Sequence, residues 1–208
     1  MLLKTDGMES WTCLIGQHNA YNLLAIYTTA VVLGADPEET LVAMSSLRPA
    51  PGRLENMRGP KDISVIIDYA HTPDGFENVL SSVKGFCKGR TIAVFGCGGD
   101  RDPIKRPIMG EIGTRIADIA VITSDNPRTE DPEKIIADII PGAEKAGKKF
   151  DVVVDRRQAI RYALSIAEKD DIIVLAGKGH ETYQEINGVK HHLDEREEVA
   201  AALEEMKG

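Results

Sequence analysis

From residue 61 onward, short apolar runs alternate with stretches whose apolar residues recur at helical spacing. The runs at 64–67, 91–95, 119–123, 151–154 and 172–176 read as strands, and the helical stretches fall at roughly 73–86, 105–116, 132–146, 156–168 and 195–206. This alternation predicts an α/β domain: a Rossmann-like, open, mostly parallel sheet with flanking helices. Residues 182–186 and 189–192 flank Asn187-Gly188, a turn pair suited to positive φ, and predict a terminal hairpin.

The first fifty residues follow a different pattern. Residues 11–16 read as a strand ending in Gly16. Ala20, Leu23, Leu24, Tyr27 and Val31 then recur at helical spacing, closed by Gly34. Asp36-Pro37-Glu38-Glu39 combines a capping side chain, a proline at the first position and acids in the first turn, so a second helix is expected from there to about Leu47. The breaker cluster Arg48-Pro49-Ala50-Pro51-Gly52 marks the expected boundary, giving domains at 1–51 and 52–208. Two helices and one strand are too little for a complete domain, and the expectation is that residues 1–51 belong to a larger one.

Composition narrows the classes of function. With 208 residues, 42% hydrophobic and 28% charged, the chain has the make-up of an ordinary globular protein. A formal net charge of −8 argues against a nucleic-acid surface. The three scattered cysteines include no CxxC pair, which fits a reducing compartment better than a disulfide framework or a zinc site. No stretch is long and apolar enough to span a bilayer, and residues 1–7 lack the build of a signal peptide, so a cytoplasmic location without membrane partners is expected.

Four polar loops follow four of the predicted strands, where ligands collect in open α/β sheets. The first, 68–74, carries Asp68, an acceptor for ribose hydroxyls or a cap of its own turn, with His71 and Thr72 open to similar alternatives. In the second, 96–102, glycines allow close backbone approach to a ligand. There Arg101 between two acids is either a substrate clamp or part of an internal salt bridge, and Cys97 is either reactive or merely small. The third, 123–132, offers the Asp125 carboxylate for an ammonium, the Asn126 amide as donor and acceptor, and the planar Arg128 fork for a carboxylate or phosphate. Pro127 stiffens the turn; together these groups suit the zwitterionic head of an amino acid. The fourth, 177–181, adds Gly177, Lys178, His180 and Glu181. Taken singly each loop also reads as a capped turn; taken together they predict one shared crevice.

The segments GQHNAYN (16–22), PGRLE (51–55), DYAHTPD (68–74), GCGGDRD (96–102) with KRP (105–107), SDNPRTEDP (124–132) and AGKGHETYQ (176–184) resemble the Mur ligases, in the family's order and across nearly the whole chain. These are ATP-dependent amide-forming enzymes of peptidoglycan precursor synthesis, and DNPR is the signature of the branch that adds meso-diaminopimelate rather than lysine. The resemblance implies that Arg101, Asp125, Asn126, Pro127, Arg128, Gly177 and Glu181 form the diaminopimelate site. It further implies that Asn19 and Asn22 lie on the adenine side of ATP, Arg53 at its phosphates and Asp68 at its ribose. The implied partners are ATP, Mg2+ and a UDP-N-acetylmuramoyl dipeptide, activated as an acyl phosphate before the amine attacks.

No G-x-x-x-x-G-K-[ST] loop occurs in the sequence. The resemblance places that loop, the magnesium ligands and a carbamylated lysine upstream of residue 1, so no catalytic or metal-binding residue is assigned here, and these residues alone are expected not to ligate. His18 and His71 share the motifs without an assigned catalytic role. Two other classes are weighed: a freestanding diaminopimelate-binding module, and a nucleotide-dependent oxidoreductase, disfavoured by the missing GxGxxG. A lysine-adding relative is disfavoured by Arg128.

Overall fold

The structure is a computed structural model and describes residues 1–206; the side chains of Gln17 and His18 lie outside the description, and with them the grouping of His18 into its motif. The chain divides into two compact units, residues 1–50 and 51–208.

In the first unit, β1 (Leu2–Thr5) and β2 (Met8–Trp11) form an antiparallel hairpin, followed by α1 (Gln17–Val32) and α2 (Pro37–Ser45). The strand expected at 11–16 is not there. Asp6 and Gly7 both take positive φ, and the tight turn they make pairs Leu2 with Trp11, so pairing runs out at Trp11. Leu14 instead turns inward to join Leu23, Tyr27, Leu41 and Met44 in a small core. Leu24, counted on the apolar face by spacing, is 45% exposed; the buried stripe is Leu23 and Tyr27. Asp36 caps α2 as its sequence predicts, accepting from the N–H groups of Glu38 and Glu39.

The second unit is built on a six-stranded sheet containing β3 (Glu55–Arg58), β4 (Ser64–Asp68), β5 (Thr91–Phe95), β6 (Ile119–Ile122), β7 (Phe150–Val152) and β8 (Ile172–Ala176), in the order β3-β4-β8-β5-β6-β7. All neighbours are parallel except β3, which lies antiparallel against β4 at one edge. The apolar pattern does not reveal β3, because an exposed edge strand with Met57 as its one apolar residue has no buried face to write into the sequence.

Five helices cover the sheet: α3 (Pro73–Phe86), α4 (Lys105–Ile116), α5 (Pro132–Lys145), α6 (Arg156–Ile166) and α7 (Glu195–Glu205). Thr72, Asp131, Asp155 and Asp194 cap α3, α5, α6 and α7, each accepting from a first-turn N–H. Alternate strand residues (Val65, Ile67, Ile92, Val94, Ile173 and Leu175) are fully buried against Ala159, Ala163 and Leu164 of α6 and Val199 and Leu203 of α7. Each such side chain contributes about 1.5–3 kcal/mol of transfer free energy. On strand β5, Phe95 packs on Phe76 of α3 with ring centroids 4.8 Å apart. The terminal hairpin, β9 (Tyr183–Ile186) with β10 (Val189–His192), turns on Asn187 and Gly188, both at positive φ.

Because β8 inserts between β4 and β5, the carboxyl ends of β4, β8, β5 and β6 are consecutive along one sheet edge. The four polar loops therefore open side by side. A glycine contact sets the spacing of the helices beneath them. A Cβ at Gly142 of α5 would lie 1.7 Å from the backbone carbonyl of Pro107 in α4. Helix propensity alone predicts that Gly142→Ala stabilises the domain by about 1 kcal/mol. The crossing predicts the opposite sign, a loss of about 1–3 kcal/mol from overpacking, read as a lower urea midpoint at unchanged slope.

Candidate functional site

A cavity of about 310 Å³ opens among the loops after β4, β5, β6 and β8. Arg101, Asp125, Asn126, Arg128, Gly177 and Glu181 all line it, together with His71 and Lys105. Pro127 does not. It is buried behind the loop, where its carbonyl accepts from Glu130 N–H and closes the turn that presents its neighbours.

The inner wall is a hydrogen-bonded lattice of charged and amide groups. Asn126 Oδ1 accepts from Lys178 Nζ at 3.0 Å and from Glu185 N–H at 2.9 Å, which orients the amide and directs Nδ2 onto Glu181 Oε2 at 2.8 Å. Lys178 is fully buried and its ammonium also reaches Glu181 Oε2 at 3.2 Å. Asp125 Oδ1 accepts from Asn126 N–H, while Oδ2 lies 3.9 Å from Arg156 Nη1. Gly177 sits at φ +120°, and a Cβ there would stand 2.4 Å from Asp125 Oδ2, so the position requires glycine on two grounds. Arg128 adopts φ +53° and donates through Nη1 to the Gly99 carbonyl at 2.8 Å. Arg101 is exposed and donates to the Asp100 carbonyl; it forms no salt bridge among the described residues, so of its two readings the internal ion pair drops out.

Arg156 is the largest fully buried side chain and lies beneath these loops. It donates to the Ser124 carbonyl after β6, the Ala176 carbonyl at the end of β8, and Glu195 Oε1 of α7. Burial alone would lower its pKa, but Glu195 and Asp125 outweigh burial and hold it above the ordinary arginine value.

The glycines at 96–99 serve a purpose their sequence does not announce. A Cβ on Gly96 would meet the Thr123 carbonyl at 2.1 Å, and one on Gly99 the Pro127 carbonyl at 2.0 Å. Gly99 N–H also donates to the Asn126 carbonyl. The glycine loop is thus pressed against the 123–132 loop, backbone to backbone. Cys97 between them is buried, which pushes its thiol up to about 12; it is no thiolate at neutral pH, and the reactive reading falls away.

His71 Nδ1 lies 2.8 Å from the Tyr69 carbonyl. A carbonyl only accepts, so Nδ1 carries the proton and neutral His71 presents Nε2 as an acceptor. Of the residues the resemblance links to ATP, Arg53 is exposed with its guanidinium 4.9 Å from the Tyr69 ring centroid, a cation open to an anion. Asp68 is buried and its two oxygens accept from Leu54 and Ala70 N–H groups, so it ties its own turn together. Asn19 and Asn22 belong to the first unit, bonded to the Ile15 carbonyl and to each other. Among the described residues no three His, Cys, Asp or Glu side chains converge as a metal site.

Behind the wall act Lys178, named in the fourth loop without a site role, and four residues that sequence reading left out: Gln184, Glu185, Arg156 and Glu195. Gln184 Nε2 donates to the Asp125 carbonyl at 2.6 Å. Lys178 and Gln184 stand inside quoted motifs, a signal that was available. Nothing at Arg156 or Glu195 distinguishes them from ordinary first-turn residues of their helices.

These features define a Rossmann-like α/β domain with a crevice lined by charges of both signs at the carboxyl edge of its sheet. Residues 52–179 match the family described as "Mur ligase, glutamate ligase domain", and the chain belongs to the Mur ligase family. It is 50% identical over 191 residues to the UDP-N-acetylmuramoyl-L-alanyl-D-glutamate–2,6-diaminopimelate ligase of Clostridioides difficile, covering 92% of this chain and 40% of that protein. The ligase of the same name from Bacteroides thetaiotaomicron is 48% identical over 200 residues, 95% of this chain and 42% of its own length. A solved structure of a ligase with that name superposes with TM-score 0.75 at 41% identity, over 97% of this chain and 41% of its own. The UDP-N-acetylmuramate-alanine ligase of Thermotoga maritima shares the fold at 21% identity, with TM-score 0.68 over 96% of this chain and 40% of its own. This chain therefore spans about two fifths of the relatives it matches.

Glu130 clamps the two loops together and carries a pH prediction. Arg106 donates to both of its oxygens, and Asp100 N–H to one. The Arg106 hydrogen bonds, then that of Asp100, hold the Glu130 carboxyl below its ordinary range against the opposing effect of burial. Its folded pKa is thus below the unfolded value of about 4.3, so its stabilisation is complete above that pH and is lost as pH falls through the folded pKa. Glu130→Gln is expected to flatten the decline of melting temperature below about pH 4. An unchanged acid limb would remove Glu130 from that role.

Proposed function

We propose that the second unit binds meso-diaminopimelate in this cavity, as the amino-acid-binding end of an ATP-dependent ligase. That ligase adds meso-diaminopimelate to UDP-N-acetylmuramoyl-L-alanyl-D-glutamate. The observation that carries the reading is the convergence of Arg101, Asp125, Asn126, Arg128, Gly177 and Glu181 on one cavity from loops far apart in sequence. Both charges of an amino-acid group are matched there. Arg128 and Arg101 take the distal carboxylate; Glu181 and Asp125 take the ammonium. Glu181 Oε2 is engaged by Asn126 and Lys178, so the ligand ammonium takes Oε1. L-lysine has the distal ammonium without the carboxylate and leaves Arg128 unmatched, which makes Arg128 the discriminating group.

In this reading residues 1–51 are the tail of a central ATP-binding domain and 52–208 the amino-acid domain. Asn19, Asn22, Arg53 and Asp68 are the proposed ATP contacts. ATP supplies the phosphoryl group that activates the dipeptide carboxylate. The contribution of this chain is to hold the amine in one orientation, converting a bimolecular attack into a positioned one. Mg2+ is assigned to the ligase as a whole and to no residue here. The protein is proposed to work in the cytoplasm without nucleic acid. No helix among the described residues is long and apolar enough to cross a bilayer.

Isothermal titration tests the reading. Saturable heat with meso-diaminopimelate is expected, at least about tenfold tighter than with L-lysine, and Arg128→Ala is expected to abolish the difference. Equal affinity for the two ligands, or none for either, would reject a preformed diaminopimelate site.

A further inference from the structure

Arg128 is held in an improbable conformation by the terminal hairpin. Its φ of +53° lies in the left-handed region that non-glycine residues seldom adopt. Two backbone hydrogen bonds with the hairpin maintain it. Arg128 N–H donates to the Glu185 carbonyl at 3.0 Å and Asn187 N–H donates to the Arg128 carbonyl at 2.7 Å, and the two together make a parallel bridge between Arg128 and Ile186. These contacts place the Arg128 backbone but leave the guanidinium, four bonds further out, free to rotate. Two contacts restrain it. Nη1 donates to the Gly99 carbonyl, and the Nε edge faces Glu185 Oε2 at 3.4 Å.

We propose that Glu185 is a specificity-determining positioning residue: its carboxylate holds the Nε edge of Arg128, so that the Nη2 side of the fork is presented to the carboxylate of a ligand in the cavity. The inference rests on the diaminopimelate reading of the cavity and extends it to the hairpin. A guanidinium offers five donors in one plane, and bidentate carboxylate recognition needs two adjacent donors presented together. With Gly99 on one edge and Glu185 on another, rotation about the last side-chain bonds is stopped and one edge remains for the ligand. Glu185 touches neither the cavity nor the ligand, since it is not among the cavity-lining residues. It acts through Arg128.

The geometry permits a clean test. The hydrogen bonds of Glu185 with the Asn126 side-chain amide and the Arg128 backbone run through its own N–H and carbonyl, so substitution of the Glu185 side chain leaves them in place. Titration of the 208-residue chain with meso-diaminopimelate and with L-lysine is compared for wild type, Glu185→Gln and Glu185→Ala. Glu185→Ala is expected to lower the preference for meso-diaminopimelate by about tenfold while lysine affinity and melting temperature stay within twofold and a degree or so. Glu185→Gln keeps an acceptor for Nε–H and is expected to retain part of the preference. In parallel, the Arg128 Nε–H resonance of the ligand-free protein is expected to be ordered in wild type and averaged in Glu185→Ala.

If wild type prefers meso-diaminopimelate and Glu185→Ala keeps or increases that preference, the positioning role is overturned while the reading of the cavity stands. Equal losses for both ligands with a lowered melting temperature would make Glu185 merely structural and overturn it as well. If wild type itself does not discriminate, the reading of the cavity fails and this inference falls with it.

Discussion

The second unit depends on one buried cation. Arg156 has no access to water and spends its donors on the carbonyl of Ser124, the carbonyl of Ala176 and the carboxylate of Glu195. Those partners stand just past β6, at the end of β8 and at the start of α7. A guanidinium there joins two loops and a helix that no hydrophobic contact could hold in register, because the groups it joins are polar. Removing one partner of a buried pair of this kind costs about 3–5 kcal/mol, since the survivor stays charged and unpaired. The Asp125 carboxylate, 3.9 Å away, completes the arrangement and presents a negative charge at the cavity wall.

The same principle recurs around the cavity. Arg156 balances Asp125, Lys178 balances Glu181, and Glu185 balances Arg128. Asp125, Glu181 and Arg128 therefore each have an opposite charge behind them before any ligand arrives, whereas Arg101 on the same wall has only the Asp100 carbonyl. Such pairing keeps the wall from collapsing onto itself and holds each group's direction, which lowers the ordering a ligand must impose. Glycines make the close quarters possible. Gly96, Gly99 and Gly177 stand where a Cβ would strike a carbonyl or the Asp125 carboxylate, so the loops interlock only with hydrogen at those positions.

Membership of the Mur ligase family and the span of about two fifths of its relatives bear on how this arrangement is used. In the proposed function, a cavity lined from four loops of one unit selects the amino acid on its own chemistry. Activation of an acyl group is a separate task, and the proposed function assigns it to the ligase as a whole. The division suits a reaction in which the amine must be chosen by its far end while its near end stays reactive.

Much of this was legible without coordinates. The five parallel strands, their helices and the hairpin at Asn187-Gly188 follow from apolar runs, helical spacing and turn chemistry, which are local properties. The clustering of the four loops also followed, because parallel strands must share one carboxyl edge. Strand β3 and the strand at Met8–Trp11 were not legible: one is a polar edge and the other is set by its partner across a turn. Likewise the order of strands, with β8 between β4 and β5, is a choice among permitted crossovers that no local pattern records. The side chains behind the cavity were least visible of all. Arg156, Glu195 and Glu185 look like solvated charges in sequence, and only the tertiary structure makes them buried or paired. The sequence by itself determined which loops would meet and what chemistry they would offer. The tertiary structure decided which charges face the cavity and which hold them there, because pairing across 39 residues between Arg156 and Glu195 is a property of packing and not of the local chain.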